Sequence, residues 1–295
     1  MIKAEAQKRR IQNEGGNPTF PPRRLCAAAL HKYIKVFDIG LQNTFVYRWN
    51  FILRALFGVI PLLGTLFIWR TIFESRGASI GGYDYHGIIF YFLLTLLVDN
   101  LVTPTEDEWQ IAADIREGKI SSFLIKPIDY LGYRLSLYGS YRLLYTLVTA
   151  PFIVLLFWCL RDYLHLPQQG VSWLAFGASL GMAALIQFFV AYSVAMLAFW
   201  ILEISTIVFI IYSFEYFLSG QIFPLDIMPA WMQGFLHWSP FTYEIFFPVQ
   251  VYLERVQGVE LLSGLAVQAG WVLFMGGLSR VLWHFGVRRY QAVGG

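Results

Sequence analysis

The sequence predicts an all-α integral membrane protein with six transmembrane helices. Only 14% of its 295 residues are charged, against roughly 25% in soluble domains, so the chain could not cover a globule with polar surface. Several apolar runs reach about 20 residues, the length of a helix that crosses a bilayer. Lysine and arginine are concentrated in alternate loops, as is typical of multi-pass membrane proteins.

The chain begins with a basic stretch and an amphipathic segment, both ahead of the first apolar run. Residues 1–24 are polar and basic and are predicted to form a flexible cytosolic tail. Residues 25–48 place apolar side chains at steps of three and four: Ile34, Phe37, Leu41 and Phe45. This period predicts a helix at the membrane interface. A soluble amphipathic helix packed on another element is the alternative.

Residues 49–290 are predicted to form the transmembrane permeation domain, with spans assigned by apolar length. The spans are expected at about 50–73, 86–103 and 138–160, two within 171–223, and one at 261–283. A helix over all of 171–223 would be about 80 Å long, too long for one crossing. The chain therefore folds back, and Glu203 and Ser205 mark the predicted turn.

The distribution of basic residues predicts the orientation. The segment through Arg48 holds nine lysines and arginines, the loop 104–137 holds four, and Arg288 and Arg289 lie near the end. The intervening loops hold one each, and with six spans all the basic segments fall on one side. Because basic loops stay in the cytoplasm, both termini are expected there, with the protein in the cytoplasmic (inner) membrane.

A short charged helix is predicted in the loop after the second span. Thr105 and Glu108 have the spacing of a capping box, and Gly118 suits the residue just past the helix end. One face is apolar and the other polar: Trp109, Ile111, Ala112 and Ile115 oppose Asp107, Gln110, Asp114 and Glu117. At about 12 residues the helix is too short to span a bilayer. It could lie on the membrane, place one face in a groove of another protein, or be a plain loop helix.

Residues 220–248, after the fifth span, are predicted to re-enter the membrane as a helical hairpin. Prolines that break helices recur in it, with tryptophans suited to interfacial depth: Pro224, Pro229, Pro240, Pro248, Trp231 and Trp238. Asp226 is the one charged residue between Glu215 and Glu244. An ordinary extracellular loop rich in aromatic residues is the alternative.

Glu215 is an intramembrane charge, in the middle of the run IIYSFEYFLSG. Such a residue faces a translocation path or a partner, or pairs with an arginine of the same chain. Arg54, Asp99 and Arg142 lie close enough to span ends to reach the interface. The histidines and cysteines have no metal-site spacing, and a net charge of +3 gives no indication of nucleic-acid binding.

Two motifs, in this order and topology, resemble the permease (transmembrane) subunits of ABC type-2 transporters, in the ABC exporter family. One is DIREGKISSFLIKPIDY after the second span, and the other is FLSGQIFPLDIMPAWMQGFLHWSPFTY after the fifth. The resemblance covers most of residues 30–290. It implies a permease that pairs with a second permease chain, identical or related, and with two separate ATPase subunits. No phosphate-binding G-x-x-x-x-G-K-[ST] motif occurs, so ATP is expected on the partner and no cofactor on this chain.

The resemblance also assigns roles to residues. The charged helix matches the family's cytosolic coupling helix, which docks into the ATPase; the expected docking residues are Trp109, Asp114, Ile115, Arg116, Glu117 and Gly118. The region after the fifth span matches a re-entrant segment expected to close the outer end of the path; its residues are Gly220, Pro224, Pro229, Trp231 and Pro240. Both sets of residues follow from the resemblance to the family.

Two other classes of function were weighed against a permease. A membrane-embedded enzyme that processes lipids or glycans needs a cluster of histidine or carboxylate side chains at an interface, and the sequence has none that is apparent. A secondary transporter or channel favours inverted repeats or a conspicuous charged pathway, and no repeat is evident. Nothing in the sequence selects a substrate.

Overall fold

The computed structural model describes residues 22–46, 48–76, 79–103 and 107–290. Side chains are described from His31 onward, except those of Arg48 and Arg76. Nearly all of the expected tail 1–24, and Thr105 of the expected capping box, lie outside the described residues.

All regular structure within the described ranges is helical. In chain order the α-helices are α1 (Pro22–Phe45), α2 (Arg48–Arg76), α3 (Tyr85–Val102), α4 (Asp107–Arg116), α5 (Ile120–Leu124), α6 (Tyr130–Cys159), α7 (Gly170–Met196), α8 (Ser205–Leu218), α9 (Ala230–Leu236), α10 (Phe246–Tyr252) and α11 (Gly258–Arg289). Single 3-10 turns lie at Arg161–Tyr163, Leu197–Phe199, Leu225–Ile227 and Phe241–Tyr243.

In the part of the chain that is described, five helices are long and apolar enough to cross a membrane: α2, α3, α6, α7 and α11. Helix α8, at the expected fifth span, is apolar but has 14 residues. That corresponds to about 21 Å, less than the ~30 Å hydrocarbon core of a bilayer. The molecule is therefore an all-helical, multi-pass membrane protein. Helix α8 is too short to cross the bilayer by itself.

Two boundaries follow from local hydrogen bonds. The Asp129 carboxylate accepts the Gly132 amide at 2.9 Å and so caps α6, which begins eight residues before the expected span. The expected loop 104–137 is shorter for that reason. The Ser205 amide donates to Glu203 Oε1 at 3.1 Å at the start of α8, so the chain breaks at the expected turn.

Helix α1 packs along α6 rather than standing apart. A Cβ at Gly40 would lie 2.2 Å from the Ser140 hydroxyl, so the two helices approach too closely for any larger residue. The ring of Tyr33 lies against Gly132 in the same way. Ile34 on the opposite side is exposed, which leaves an apolar surface on α1. Its placement at a membrane interface stays a prediction.

Contacts between distant segments separate two ends of the bundle. At the first, which we call the α4 end, Arg280 of α11 pairs with Asp129, and Arg116 donates to the Leu202 carbonyl. At the second, which we call the Arg255 end, Arg255 donates to the Gly82 carbonyl at 2.9 Å. Helices α3, α6, α7 and α11 each run from one end to the other.

Residues 219–252, which we call the hairpin segment, fold into the bundle and return to the Arg255 end. The Tyr243 carbonyl accepts from Gln268 Nε2 at 2.8 Å, and the same nitrogen donates to the Ser179 carbonyl. Gln268 lies about 15 Å along α11 from Gly258, at 1.5 Å per residue. The hairpin segment therefore reaches about 15 Å into the bundle from the start of α11 at the Arg255 end, and α10 then returns the chain to that end.

Candidate functional site

Helix α4 presents one covered and one open side. Ile111, Ala112 and Ile115 are buried, as the apolar face of the expected helix requires. Trp109, which the helical period placed on that face, is instead 37% exposed. The difference arises because the buried strip of α4 is centred on Glu108, Ile111 and Ile115, and Trp109 lies outside it.

The acidic face of α4 does not point to solvent throughout. Arg134 of α6 is 3% exposed and pairs with Asp114. Tyr130 donates to the same carboxylate at 2.9 Å, and Arg134 also donates to Gln110 at 3.3 Å. Asp114 is therefore an anchor between α4 and α6, and 16% of its side-chain surface stays exposed, so its expected docking role stays a prediction.

The chain turns sharply after α4. Gly118 has φ +77°, a left-handed conformation that favours glycine, so the residue expected to end the helix does so. Glu117 and Lys119 on either side form an ion pair at 2.6 Å. A hydrogen bond from Lys119 and the charge of that residue lower the pKa of the exposed Glu117. We call the exposed side chains Trp109, Arg116, Glu117 and Lys119 the α4 patch.

Arg116 connects this patch to the membrane helices. Its guanidinium donates to the Leu202 carbonyl at 3.2 Å and lies 3.8 Å from a Glu203 carboxylate oxygen. Leu202 and Glu203 form the turn between α7 and α8. Arg116 therefore links α4 to the turn that joins α7 and α8.

The prolines of the hairpin segment stand where short helices begin. Pro224 precedes the turn Leu225–Ile227, Pro229 precedes α9, and Pro240 precedes the turn Phe241–Tyr243. Trp231 and Trp238 are 77% and 72% exposed, at the surface of the Arg255 end. The expected half-helix starts are in place, while the gating role of these residues stays a prediction.

Gly220 marks the point where the chain leaves α8. Its φ is +87°, and a Cβ there would lie 2.6 Å from the Tyr91 hydroxyl oxygen. The same hydroxyl donates to the Gly220 carbonyl at 2.7 Å. Both the backbone conformation and the close approach to α3 therefore require glycine.

A polar network that the sequence did not indicate holds the hairpin segment at the Arg255 end. One Asp226 oxygen accepts from Tyr83 at 2.9 Å, from Arg255 at 3.2 Å and from Gln250 at 3.3 Å. The Arg255 guanidinium also lies 3.5 Å from the centre of the Tyr83 ring, a cation–π contact. The one signal in the sequence was that Asp226 is an isolated charge in apolar surroundings.

Glu215 is paired, but not with an arginine. Its carboxylate, 5% exposed, accepts from Gln187 Nε2 of α7 at 2.7 Å. The same nitrogen lies 3.3 Å from a carboxylate oxygen of Glu244, which is fully buried. The expected alternative, an Arg partner in the same chain, is therefore wrong for the described residues. Two buried carboxylates that share one neutral donor cannot both stay ionised without a counter-charge.

Arg142 does not reach the interface as expected. It is 8% exposed, and its guanidinium donates to the carbonyls of Asp99 and Thr103 at the end of α3. Tyr138 donates to the Val102 carbonyl beside them. The last carbonyls of a helix have no partner within the helix, so a cation from α6 satisfies them.

Neither end offers a metal centre: across the described residues, no three His, Cys, Asp or Glu side chains are grouped to hold an ion. Among families of known proteins, residues 59–294 match a family described as ABC-2 family transporter protein. The match takes in about four-fifths of the chain, including α4, Glu215 and the hairpin segment. No curated protein matches the chain.

Proposed function

This chain belongs to the ABC-2 family of transporter membrane proteins, and we propose that it is the permease subunit of an ATP-driven exporter. Two permease chains, identical or related, form the translocation path, and separate ATPase subunits hydrolyse ATP. The observation that carries the proposal is the family match over residues 59–294. The lack of a phosphate-binding loop motif supports placing ATP on the partner, with no cofactor on this chain.

The proposed topology has six crossings in the cytoplasmic (inner) membrane. Five are α2, α3, α6, α7 and α11. The sixth combines α8 with the start of the hairpin segment, because α8 begins at the α4 end and the chain reaches the Arg255 end at Asp226. The basic loops place the α4 end and both termini in the cytoplasm.

The α4 patch is the proposed ATPase-docking surface, which makes α4 a coupling helix. Trp109 and Arg116 are exposed and belong to the residue types enriched at binding hot spots, and Glu117 adds an exposed negative charge beside them. Asp114 and Ile115 support this surface indirectly, because they hold α4 against α6 and α7. The contact from Arg116 to the turn between α7 and α8 passes the motion on.

The hairpin segment is the proposed outer gate, re-entering the membrane from outside. A cavity of about 250 Å³ between α2, α3 and the start of the segment is a proposed part of the path. Asp99, Tyr216 and Gln221 line it. The apolar side chains Phe57 of α2 and Phe214 of α8 are exposed on nearby helices, where the second permease chain would cover them.

Co-purification tests this proposal. A candidate ABC ATPase from the same genome is co-expressed with this chain, and the complex is captured through the permease and reconstituted in vesicles. The double variant Trp109→Ala, Glu117→Lys is expected to insert normally but to lose most ATPase capture, since reversing a charge at an interface costs about 2–5 kcal/mol. The matched control is Glu260→Lys, an exposed carboxylate at the Arg255 end. If the double variant captured as much ATPase as the control does, the α4 patch would not be the docking surface.

A further inference from the structure

A second polar site lies at the α4 end, away from the α4 patch. It is a cavity of about 350 Å³ between α1, α4 and α6. Polar groups from all three helices line it, among them Asn43, Asp107, Gln110, Tyr133 and Ser140. Its volume falls at the lower end of the range for small-molecule pockets, about 300–1,000 Å³.

Asp107 is the feature that sets this cavity apart. The residue is 6% exposed, and its Oδ2 has no hydrogen-bond partner. The two nearby guanidinium groups are engaged elsewhere, Arg134 with Asp114 and Arg142 with the carbonyls that end α3. The start of α4 offsets part of the negative charge through the helix dipole. A buried carboxylate still requires a cation or donors, and the described residues supply neither within bonding distance.

The cavity walls suit an organic cation. The lining residues include no lysine, arginine or histidine, so the Asp107 carboxylate is the group that can give the site a negative charge. Burial raises the pKa of this carboxyl to about 7, and a bound cation favours its ionised form. Tyr133 and Tyr141 contribute aromatic rings, which attract cations over their faces and accept apolar groups. The side-chain carbonyl of Asn43 can accept one further ammonium N–H.

We propose that this cavity binds a small organic ammonium ion. The ammonium group pairs with the free Asp107 oxygen, and the carbon body lies against the tyrosines of α6. The ligand is either a free amine or the ethanolamine headgroup of a lipid, which carry the same cation. The proposal does not depend on the exporter function.

Calorimetric titration of the purified full chain tests the site. The protein is held in nanodiscs of phosphatidylglycerol and titrated with phenethylammonium, and separately with phenylacetate, which has a similar shape and the opposite charge. We expect saturable binding of the cation alone and at least tenfold weaker binding in Asp107→Asn. The matched control Asp38→Asn, an exposed carboxylate on α1 outside the cavity, should bind as the parent does. Equal affinity in Asp107→Asn and the parent would overturn the proposal, as would binding of phenylacetate.

A second variant guards against loss of folding in Asp107→Asn. Asn43→Trp keeps the carboxylate, fills the cavity from the exposed side of α1, and is expected to abolish binding while the thermal transition is retained. Undiminished binding in this variant contradicts the proposed site. Nanodiscs of phosphatidylethanolamine then identify the source: competition with the probe indicates a lipid headgroup, and unchanged affinity indicates a free amine. Absence of probe binding in both lipids overturns the proposal.

Discussion

The two ends of the bundle are held together in different ways. At the α4 end, two pairs are open to solvent, Arg280 with Asp129 and Arg116 with Glu203, while the buried pair of Arg134 and Asp114 holds α4 on α6. Exposed pairs of this kind each contribute about 0–1 kcal/mol. Arg280 and Arg116 can therefore exchange partners at small cost, whereas the link from α4 to α6 is a buried ion pair.

At the Arg255 end, one carboxylate collects the contacts. Asp226 accepts from Tyr83 ahead of α3, from Gln250 of α10 and from Arg255 just after α10. Loss of that one group leaves three donors without their acceptor. The comparison teaches that the α4 end combines one buried ion pair with exposed, exchangeable ones, whereas at the Arg255 end a single carboxylate joins the hairpin segment to the loop before α3.

The largest expected effect is at the Arg255 end. Asp226→Ala should lower the free energy of unfolding by about 2–3 kcal/mol, since hydrogen bonds to a charged group contribute about 1.5–3 kcal/mol and these are partly exposed. Denaturant unfolding in detergent measures it, and Asp162→Ala, an exposed carboxylate at the same end, is the control. An effect no larger than that of the control would remove the distinction between the ends.

In the middle of the bundle, at Glu244, we expect a smaller change in the free energy of unfolding, and a gain rather than a loss. Glu244→Gln leaves one carboxylate beside Gln187 in place of two and adds an amide donor. We expect it to raise the free energy of unfolding by about 1–2 kcal/mol, because a buried carboxylate without a cation is costly. The same unfolding assay compares it with Glu260→Gln, which is exposed on α11. Destabilisation would mean that the pair already holds a counter-charge.

The smallest effect belongs to the α4 end. Arg280→Ala removes the partner of Asp129, but both side chains are partly open to solvent, at 53% and 35%. The expected loss is about 0.5–1 kcal/mol, and it should shrink further at high salt. Unfolding measured at two salt concentrations checks both statements. A loss above that of Asp226→Ala would reverse the comparison.

Sequence reasoning succeeded where one local property decides the structure. Apolar length located the long helices to within a few residues, except that α6 begins at Tyr130 because Asp129 caps it. The helix end at Gly118 and the helix starts after the prolines of the hairpin segment were also predicted. Glycine and proline each favour a particular backbone conformation, so the residue type alone indicates these boundaries.

It failed where a partner from a distant segment decides. Asp114 faces inward because Arg134 lies 20 residues away in sequence and beside it in space. Arg142 caps α3 across 39 to 43 residues. Glu244 was noted as the end of an uncharged stretch, yet the hairpin segment carries it to Gln187 in the core. Hydrophobic periods describe one helix at a time and contain no information about such pairings.

Site-specific photo-crosslinking tests the central claim that the α4 end receives the ATPase and the Arg255 end faces away from it. A photo-reactive amino acid is placed at Glu117 in one variant and at Gln168 in another, both on exposed positions. The complex is irradiated in native membranes with the ATPase present. The account predicts a covalent product with the ATPase from position 117 and none from position 168. Capture from position 168, or none from position 117 while the complex remains intact, would contradict it.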